Sequence, residues 1–454
     1  MRLKSKKKTE CWRIPKLKMD SNWVLKHKKR IINFDLDRNL GKNRSKSDFC
    51  IKCKGIRLLC GKTRCPLLIR IKHFLKIVPL ISNKDISGVS PPSVFIGRIG
   101  YPYVYAGPLV PPIHEDTSFF DCPEAWFGKS IDHIVSFRSL LIRGKKRVHA
   151  KKFSESGRMY EKILELALAD KSVDTELEFI KKPKGSIFID NNAQPFGPSA
   201  VLKKMKISNS KFDYRIERAY FDTDLKSNQA VIDLYRRGVR VSKIQKVFSV
   251  GALGIKKNRR LVPTRWSITA IDDIISRNLV SKVRDYPEIN EFRVYESNYL
   301  DNIFQILFIP SAWSYESMEA WYPGTIWNQN SEKVAIFSDY ENFKGRTDYA
   351  KIGGCYYSAR LAVCEKLHEE RRQATVIVLR EIHPGYIMPI GVWQVRENVR
   401  NAMKQKPKKF KSFEQCLKYA GSKLDIPISD WMVQSELLKR CRYQKKLSEF
   451  NLIK

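Results

Sequence analysis

Four thiols lie within sixteen residues of one another, in the pattern Cys50-x2-Cys53-x6-Cys60-x4-Cys65. Zinc takes four thiolate or imidazole ligands as a tetrahedron, and two short cysteine pairs joined by a loop can fill all four positions around one ion. A site closed in this way is structural, not catalytic; an iron–sulfur cluster is the competing occupant. Gly55 and Gly61 follow two of the cysteines closely and supply turns, while Lys52, Lys54, Arg57, Lys62 and Arg64 surround them with cations. The segment therefore either staples the chain or also offers those cations to phosphates. The remaining six cysteines are isolated and read as core or surface thiols.

A second group of chemically capable residues is His114, Asp116, Asp121 and Glu124, in a Gly- and Pro-rich stretch. Carboxylates on loops can hold magnesium, and magnesium-bound water with a histidine base could cut a phosphodiester. Each also has a plainer use: Asp116 capping a turn, Glu124 opening a helix after Pro123, His114 at the surface. Arg98, Arg143, Arg265 and Arg396 are candidates for gripping phosphates, since arginine makes bidentate contacts and nearby aromatics can stack on unpaired bases. Arg396-Glu397 carries its own acid, so an internal ion pair is its alternative. The chain has no Walker loop, no dinucleotide glycine fingerprint and no nucleophile elbow.

Near the end of the chain, Gln444, Leu447 and Phe450 recur at three-residue intervals. In a single 3₁₀ turn residues i and i+3 eclipse, so Leu447 and Phe450 would form one apolar edge with the Gln444 amide beside it. This spacing resembles the PCNA-interacting peptide, or PIP motif, that binds the replication sliding clamp. Asn451 stands where that pattern has a second aromatic, and Leu452 is a partial substitute.

Lys and Arg number 85 against 47 Asp and Glu, a formal charge of +38 over 454 residues. Such an excess favours a polyanionic partner, nucleic acid before any other. With 43% hydrophobic and 11% aromatic residues the chain can bury sizeable cores. No apolar run approaches the ~20 residues of a membrane-spanning helix and no signal segment opens the chain, so a cytoplasmic, nucleoid-associated protein with no membrane partner is expected.

Elements to carry these residues are legible. Short strands and turns are expected from Ser90 to Gly144, a helix around Ser154–Lys171 and a strand at Ser186–Asp190. Helices follow at Asp224–Arg237, stopped by Gly238, near Ser242 and at Ser267–Val283. The helix, glycine, helix rhythm from Leu225 to Val247 fits either a DNA-reading helix-turn-helix or two packed core helices. Strands at Asn302–Ile309 and Thr375–Ile382 flank a helix at Tyr356–Glu370, and Lys411–Cys441 is helical. The fold class is α/β or α+β, a two-domain mixed body with a four-cysteine segment before it and a flexible tail after it.

Ser90-Pro91-Pro92-Ser93-Val94-Phe95-Ile96-Gly97-Arg98 with Gly100-Tyr101-Pro102, Asp121-Cys122-Pro123-Glu124-Ala125-Trp126, Leu261 to Thr269 and Gly391 to Glu397 are similar to the signature blocks of the archaeal Nre DNA repair family. That resemblance implies a role in DNA damage repair, a zinc-finger-like N-terminal segment and a C-terminal PIP motif. It sets expected boundaries: a basic arm over 1–49, the four-cysteine segment over 50–66, Nre N- and C-terminal domains over 67–299 and 300–410, a helical extension over 411–443 and the clamp-binding motif over 444–452. Three readings stay open: a clamp-tethered DNA-binding repair factor, a metal-dependent nuclease or DNA-end processing enzyme, and an RNA-binding zinc protein.

Overall fold

The strand Thr375–Ile382 holds a continuous apolar run, Val376–Leu379, and every one of its residues is buried. Val173–Phe179 instead alternates buried and open positions. The first pattern demands cover on both faces of a sheet and the second on one face only, and the protein contains one sheet of each kind. The computed structural model describes residues 50, 52–153, 157–185, 194–329 and 331–444. The chain divides into two units, Met1–Lys54 and Gly55–Lys454.

The larger unit begins with α1 (Pro66–Ile77), β1 (Asp85–Ser90), β2 (Val94–Ile96), β3 (Tyr103–Val110), α2 (Ile131–Leu140), β4 (Ile142–His149), α3 (Arg158–Leu168), β5 (Val173–Phe179) and β6 (Ser199–Ile207). Its strands form a six-stranded sheet in the order β1-β5-β6-β4-β3-β2. All neighbours are antiparallel except β4 and β6. A helical layer follows: α4 (Tyr214–Phe221), α5 (Ser227–Arg236), α6 (Val241–Ser249) and α7 (Thr264–Val283). Gly238, at φ 79°, turns the chain between α5 and α6 in a conformation that favours glycine.

The second sheet uses β7 (Phe292–Asn298), β8 (Asn302–Ile309), β9 (Ser314–Trp321), β10 (Ala335–Glu341), β11 (Thr375–Ile382) and β12 (Lys408–Phe410), in the order β10-β9-β11-β8-β7-β12. Helices α8 (Gly354–Glu370) and α9 (Trp393–Met403) lie between its later strands in sequence, and α10 (Phe413–Gly421), α11 (Ile428–Gln434) and α12 (Glu436–Tyr443) end the described chain. β8 and β11 begin and end where the sequence places them. The stretch expected as strands and turns also holds helix α2. The expected strand at Ser186–Asp190 and the arm over 1–49 lie outside the described residues.

One apolar cluster runs from the inner face of the first sheet through α3 and α5 to α8 to one face of the second, joining Val104, Leu177, Ile244, Ile275 and Phe308. A second cluster seats α10 to α12 on the other face, with Trp431 and Leu437 against Leu307 and Ile377. The second sheet is thus covered twice. The expected boundary at residues 299 and 300 falls between β7 and β8, which are hydrogen-bonded neighbours in register Val294↔Leu307; it divides a sheet, not two folding units. Among the described residues no helix is long and apolar enough to cross a membrane.

Candidate nucleic-acid interface

The four-cysteine segment straddles the two units, with Cys50 and Cys53 in the first and Cys60 and Cys65 in the second. Within the first, Lys54 donates its amide to the Cys50 carbonyl at 3.0 Å and takes a left-handed φ of 49°, a tight turn after the cysteine pair. Within the second, Gly55 runs so near Cys65 that a Cβ there would sit 3.3 Å from the Sγ.

Asp116, Asp121 and Glu124 each have a partner within the protein. Asp116 accepts from the Ser118 amide and hydroxyl, both at 3.0 Å, and from Ser172 Oγ at 2.9 Å, capping the turn that follows. Partial burial pushes its carboxyl up, and those hydrogen bonds more than offset that and hold it below its usual range. Asp121 takes a hydrogen bond from Ser93 and an ion pair from Lys246 at 2.9 Å. Glu124 accepts from the Ser242 amide at 2.8 Å and hydroxyl at 2.7 Å, standing at the amino end of α6. His114 is exposed, its Nε2 3.4 Å from Ser87 Oγ. Among the described residues the one trio of metal-type side chains with ligand atoms within 4.8 Å of each other is Glu381, His383 and Asp425. The structure does not gather His114, Asp116, Asp121 and Glu124 into such a set.

The helix-turn-helix rhythm belongs to the core. Val241, Ser242, Ile244, Gln245, Val247 and Ser249 of α6 are all buried. Its cations turn inward too: Lys243 donates to the Ala167 and Ala169 carbonyls at 2.7 and 2.5 Å, and burial pushes its ammonium down to about 7. A helix enclosed in this way has no face left for a DNA groove. Arg396 is likewise internal, 1% exposed, with Nη1 at 2.8 and 3.0 Å from the two oxygens of Asp272.

The open surface is the outer face of the first sheet. Tyr103 pairs with His149 and Tyr105 with Arg147 across β3 and β4. Directly opposed residues share a face, so Tyr103, Tyr105, Arg143, Lys145, Arg147 and His149 all stand on the side away from buried Val104 and Val148. Tyr103 is 53% exposed and Tyr105 42%. The Arg147 guanidinium lies 5.5 Å from the centre of the Tyr103 ring, and that of Arg143 lies 3.9 Å from the centre of Phe95, whose other neighbour is Phe196 at 5.1 Å.

Three hydrogen bonds fix the rim of this face. Ala150 donates its amide to Pro102 O at 2.7 Å and accepts from the Leu261 amide at 2.9 Å, and Thr264 Oγ1 accepts from the Ile96 amide at 2.9 Å. They bring the first turn of α7 beside the β2–β3 loop, where Trp266 packs on Tyr101 at 5.2 Å and Arg98 and Arg265 are exposed. The three segments that meet here, 94–112, 142–152 and 256–266, contain twelve Lys and Arg residues and no Asp or Glu. On the other half of the sheet charges are matched, Lys203 with Glu178 and Lys206 with Glu176.

Arg143 shows the imbalance most sharply. Its Nε is buried without a hydrogen-bond partner, its Nη2 reaches only Tyr105 O at 3.5 Å, and burial pushes it down to about 10. Lys145 is lowered as well, by burial and then by the charge of Arg143. Sequence reasoning named Arg98, Arg143 and Arg265 as phosphate candidates but passed over Tyr103, Tyr105, Lys145 and Arg147 as site residues. The available signal was alternation, with Tyr103 and Tyr105 on one strand and Arg143, Lys145, Arg147 and His149 on its neighbour.

A mixed α/β body with one fully covered sheet and one sheet exposing a basic, aromatic face defines the class of protein. The chain belongs to the archaeal Nre family: the description "Archaeal Nre, N-terminal" matches residues 59–328 and "Archaeal Nre, C-terminal" matches 341–450. The first match carries β7 to β9 and the second β11 and β12, so both build the second sheet. The DNA repair protein NreB of Archaeoglobus fulgidus is 42% identical over 402 residues, 88% of this chain and 99% of that protein. The DNA repair protein NreA of the same organism is 38% identical, covering 83% and 94%, and that of Haloferax volcanii is 33% identical, covering 76% and 84%. No solved structure matches this chain.

Proposed function

We propose that this protein is a DNA repair factor that holds DNA on the outer face of its first sheet and is tethered to the replication sliding clamp, PCNA, by its C-terminal segment. The observation that carries the DNA-binding part is the acid-free cluster of cations and exposed rings on β2, β3 and β4. Unpaired cations on an open face attract phosphates, and exposed rings offer surfaces for bases. The relatives' description as DNA repair proteins supports the choice of DNA as the polyanion.

The tether rests on the spacing of Gln444, Leu447 and Phe450, with Asn451 completing the segment. Gln444 follows α12, its amide donating to Arg440 O at 2.9 Å; residues 445–454 lie outside the described residues. Calorimetric titration of the organism's own sliding clamp should give binding with the full chain and none with a chain lacking 444–454. Equal binding by both, or by neither, would remove the tether and leave the DNA-binding face to be judged alone.

Cys50, Cys53, Cys60 and Cys65 are proposed, on their spacing and the turns beside them, to hold one structural zinc. The purified protein should then contain near-stoichiometric zinc, and Cys50→Ser with Cys53→Ser should abolish it. Zinc content unchanged by that pair of substitutions would withdraw the assignment.

A further inference from the structure

We infer that the outer face of β2, β3 and β4 is a site for a single, unpaired DNA strand, with one base stacked on each of Tyr103 and Tyr105 and the backbone phosphates held by Arg143 and Arg147. This rests on the DNA-binding reading above and narrows it to one kind of DNA.

The spacing of the two rings argues for an unpaired strand. Tyr103 and Tyr105 are alternate residues of one strand, so their side chains repeat at roughly 6.6–6.8 Å. Bases in a duplex repeat every ~3.4 Å along each strand. A base on each tyrosine is therefore about twice as far from its neighbour as stacking within a duplex allows. A strand meeting both rings must be unstacked and free of its complement.

The width of the surface points the same way. A duplex major groove, about 12 Å across, admits a helix or a two-stranded ribbon. Here Tyr103 and Tyr105 lie within a sheet whose six strands, at ~4.8 Å apart, span roughly 24 Å. Such a sheet cannot enter a groove, so base edges of a duplex stay out of reach of the tyrosines. A single strand can lie flat on it with its bases turned down.

Charge complements this path. Each tyrosine has an arginine beside it: the Arg147 guanidinium over Tyr103, and Arg143 against the Tyr105 carbonyl. Arg143 is held against Phe95 by the sheet itself, and Gly97 leaves room next to it, since a Cβ there would already be 3.4 Å from Nη2. With its Nε lacking a partner and no carboxylate paired with it among the described residues, the guanidinium is pre-set for an anion. Trp266 against Tyr101 continues the aromatic surface past the end of β3.

Fluorescence anisotropy on the full chain tests this, using labelled oligothymidine, a duplex of equal length and oligouridine. The wild-type protein should bind oligothymidine more tightly than the duplex and at least as tightly as oligouridine. Loss of two stacked bases in Tyr103→Ala with Tyr105→Ala should weaken single-strand binding by about 30-fold or more, with duplex binding little changed. Tyr103→Phe with Tyr105→Phe should restore it, because stacking needs the ring and not the hydroxyl. The rings are exposed, so the thermal midpoint should not move. Duplex bound as tightly as the single strand, an alanine pair binding like wild type, or a preference for oligouridine would each overturn the assignment. A wild-type protein that binds no DNA of either form would instead remove the DNA reading on which it rests.

Discussion

Asp272→Ala is expected to destabilise the protein by about 3–5 kcal/mol, the range for stripping a buried ion of its partner. Asp272 on α7 is fully buried and accepts from Arg396 Nη1, from Ser358 Oγ at 2.7 Å and from Gln245 Nε2 at 3.2 Å. Its removal leaves the Arg396 guanidinium, among the described residues, with only Glu397 at 3.3 Å and takes the stronger acceptor from the Ser358 hydroxyl and the Gln245 amide, where α6, α7, α8 and α9 meet. The neighbouring carboxylates Glu341, at 2.6 Å, and Asp273 are already bound to Arg360, so they cannot take over. Urea denaturation should show the loss as a lowered midpoint. Replacing both partners, Asp272→Leu with Arg396→Met, should cost far less than either change alone, because no unpaired charge then remains buried. A single Asp272→Ala change that costs under about 1 kcal/mol would mean that this ion network does not hold the helical layer together.

Changing Arg143, Lys145 and Arg147 together to Gln should flatten the salt dependence of DNA binding by about two units in the slope of log affinity against log salt. Each phosphate contact to a single strand contributes roughly 0.7 to that slope through released counterions. The same triple change should weaken binding most at low salt, where the electrostatic part is largest. Arg143→Gln alone should also raise the thermal midpoint of the free protein, since it removes a half-buried cation with no acid beside it among the described residues. Weaker DNA binding together with higher stability marks a residue kept for its ligand. An unchanged slope in the triple variant would place the DNA elsewhere on the molecule.

The sequence alone determined the parts whose cause is local. Continuous apolar runs bounded by turn residues set β8 and β11 at Asn302–Ile309 and Thr375–Ile382, and helical periodicity found α3, α5 and α8. It was less accurate at α7, which opens at Thr264, directly after Pro263, rather than at Ser267. The family was legible as well, since its blocks are contiguous residues. What tertiary structure decided is which faces stay open and which charges are paired. Arg143 and Arg396 look alike in sequence, yet Asp272, 124 residues earlier in the chain, pairs with Arg396, while among the described residues no acid pairs with Arg143. The period of two along β3 fixes that Tyr103 and Tyr105 share a side. That this side faces water, while both faces of the second sheet are covered, depends on where α3 to α12 pack, and strand periodicity carries no information about helices supplied from a hundred residues away.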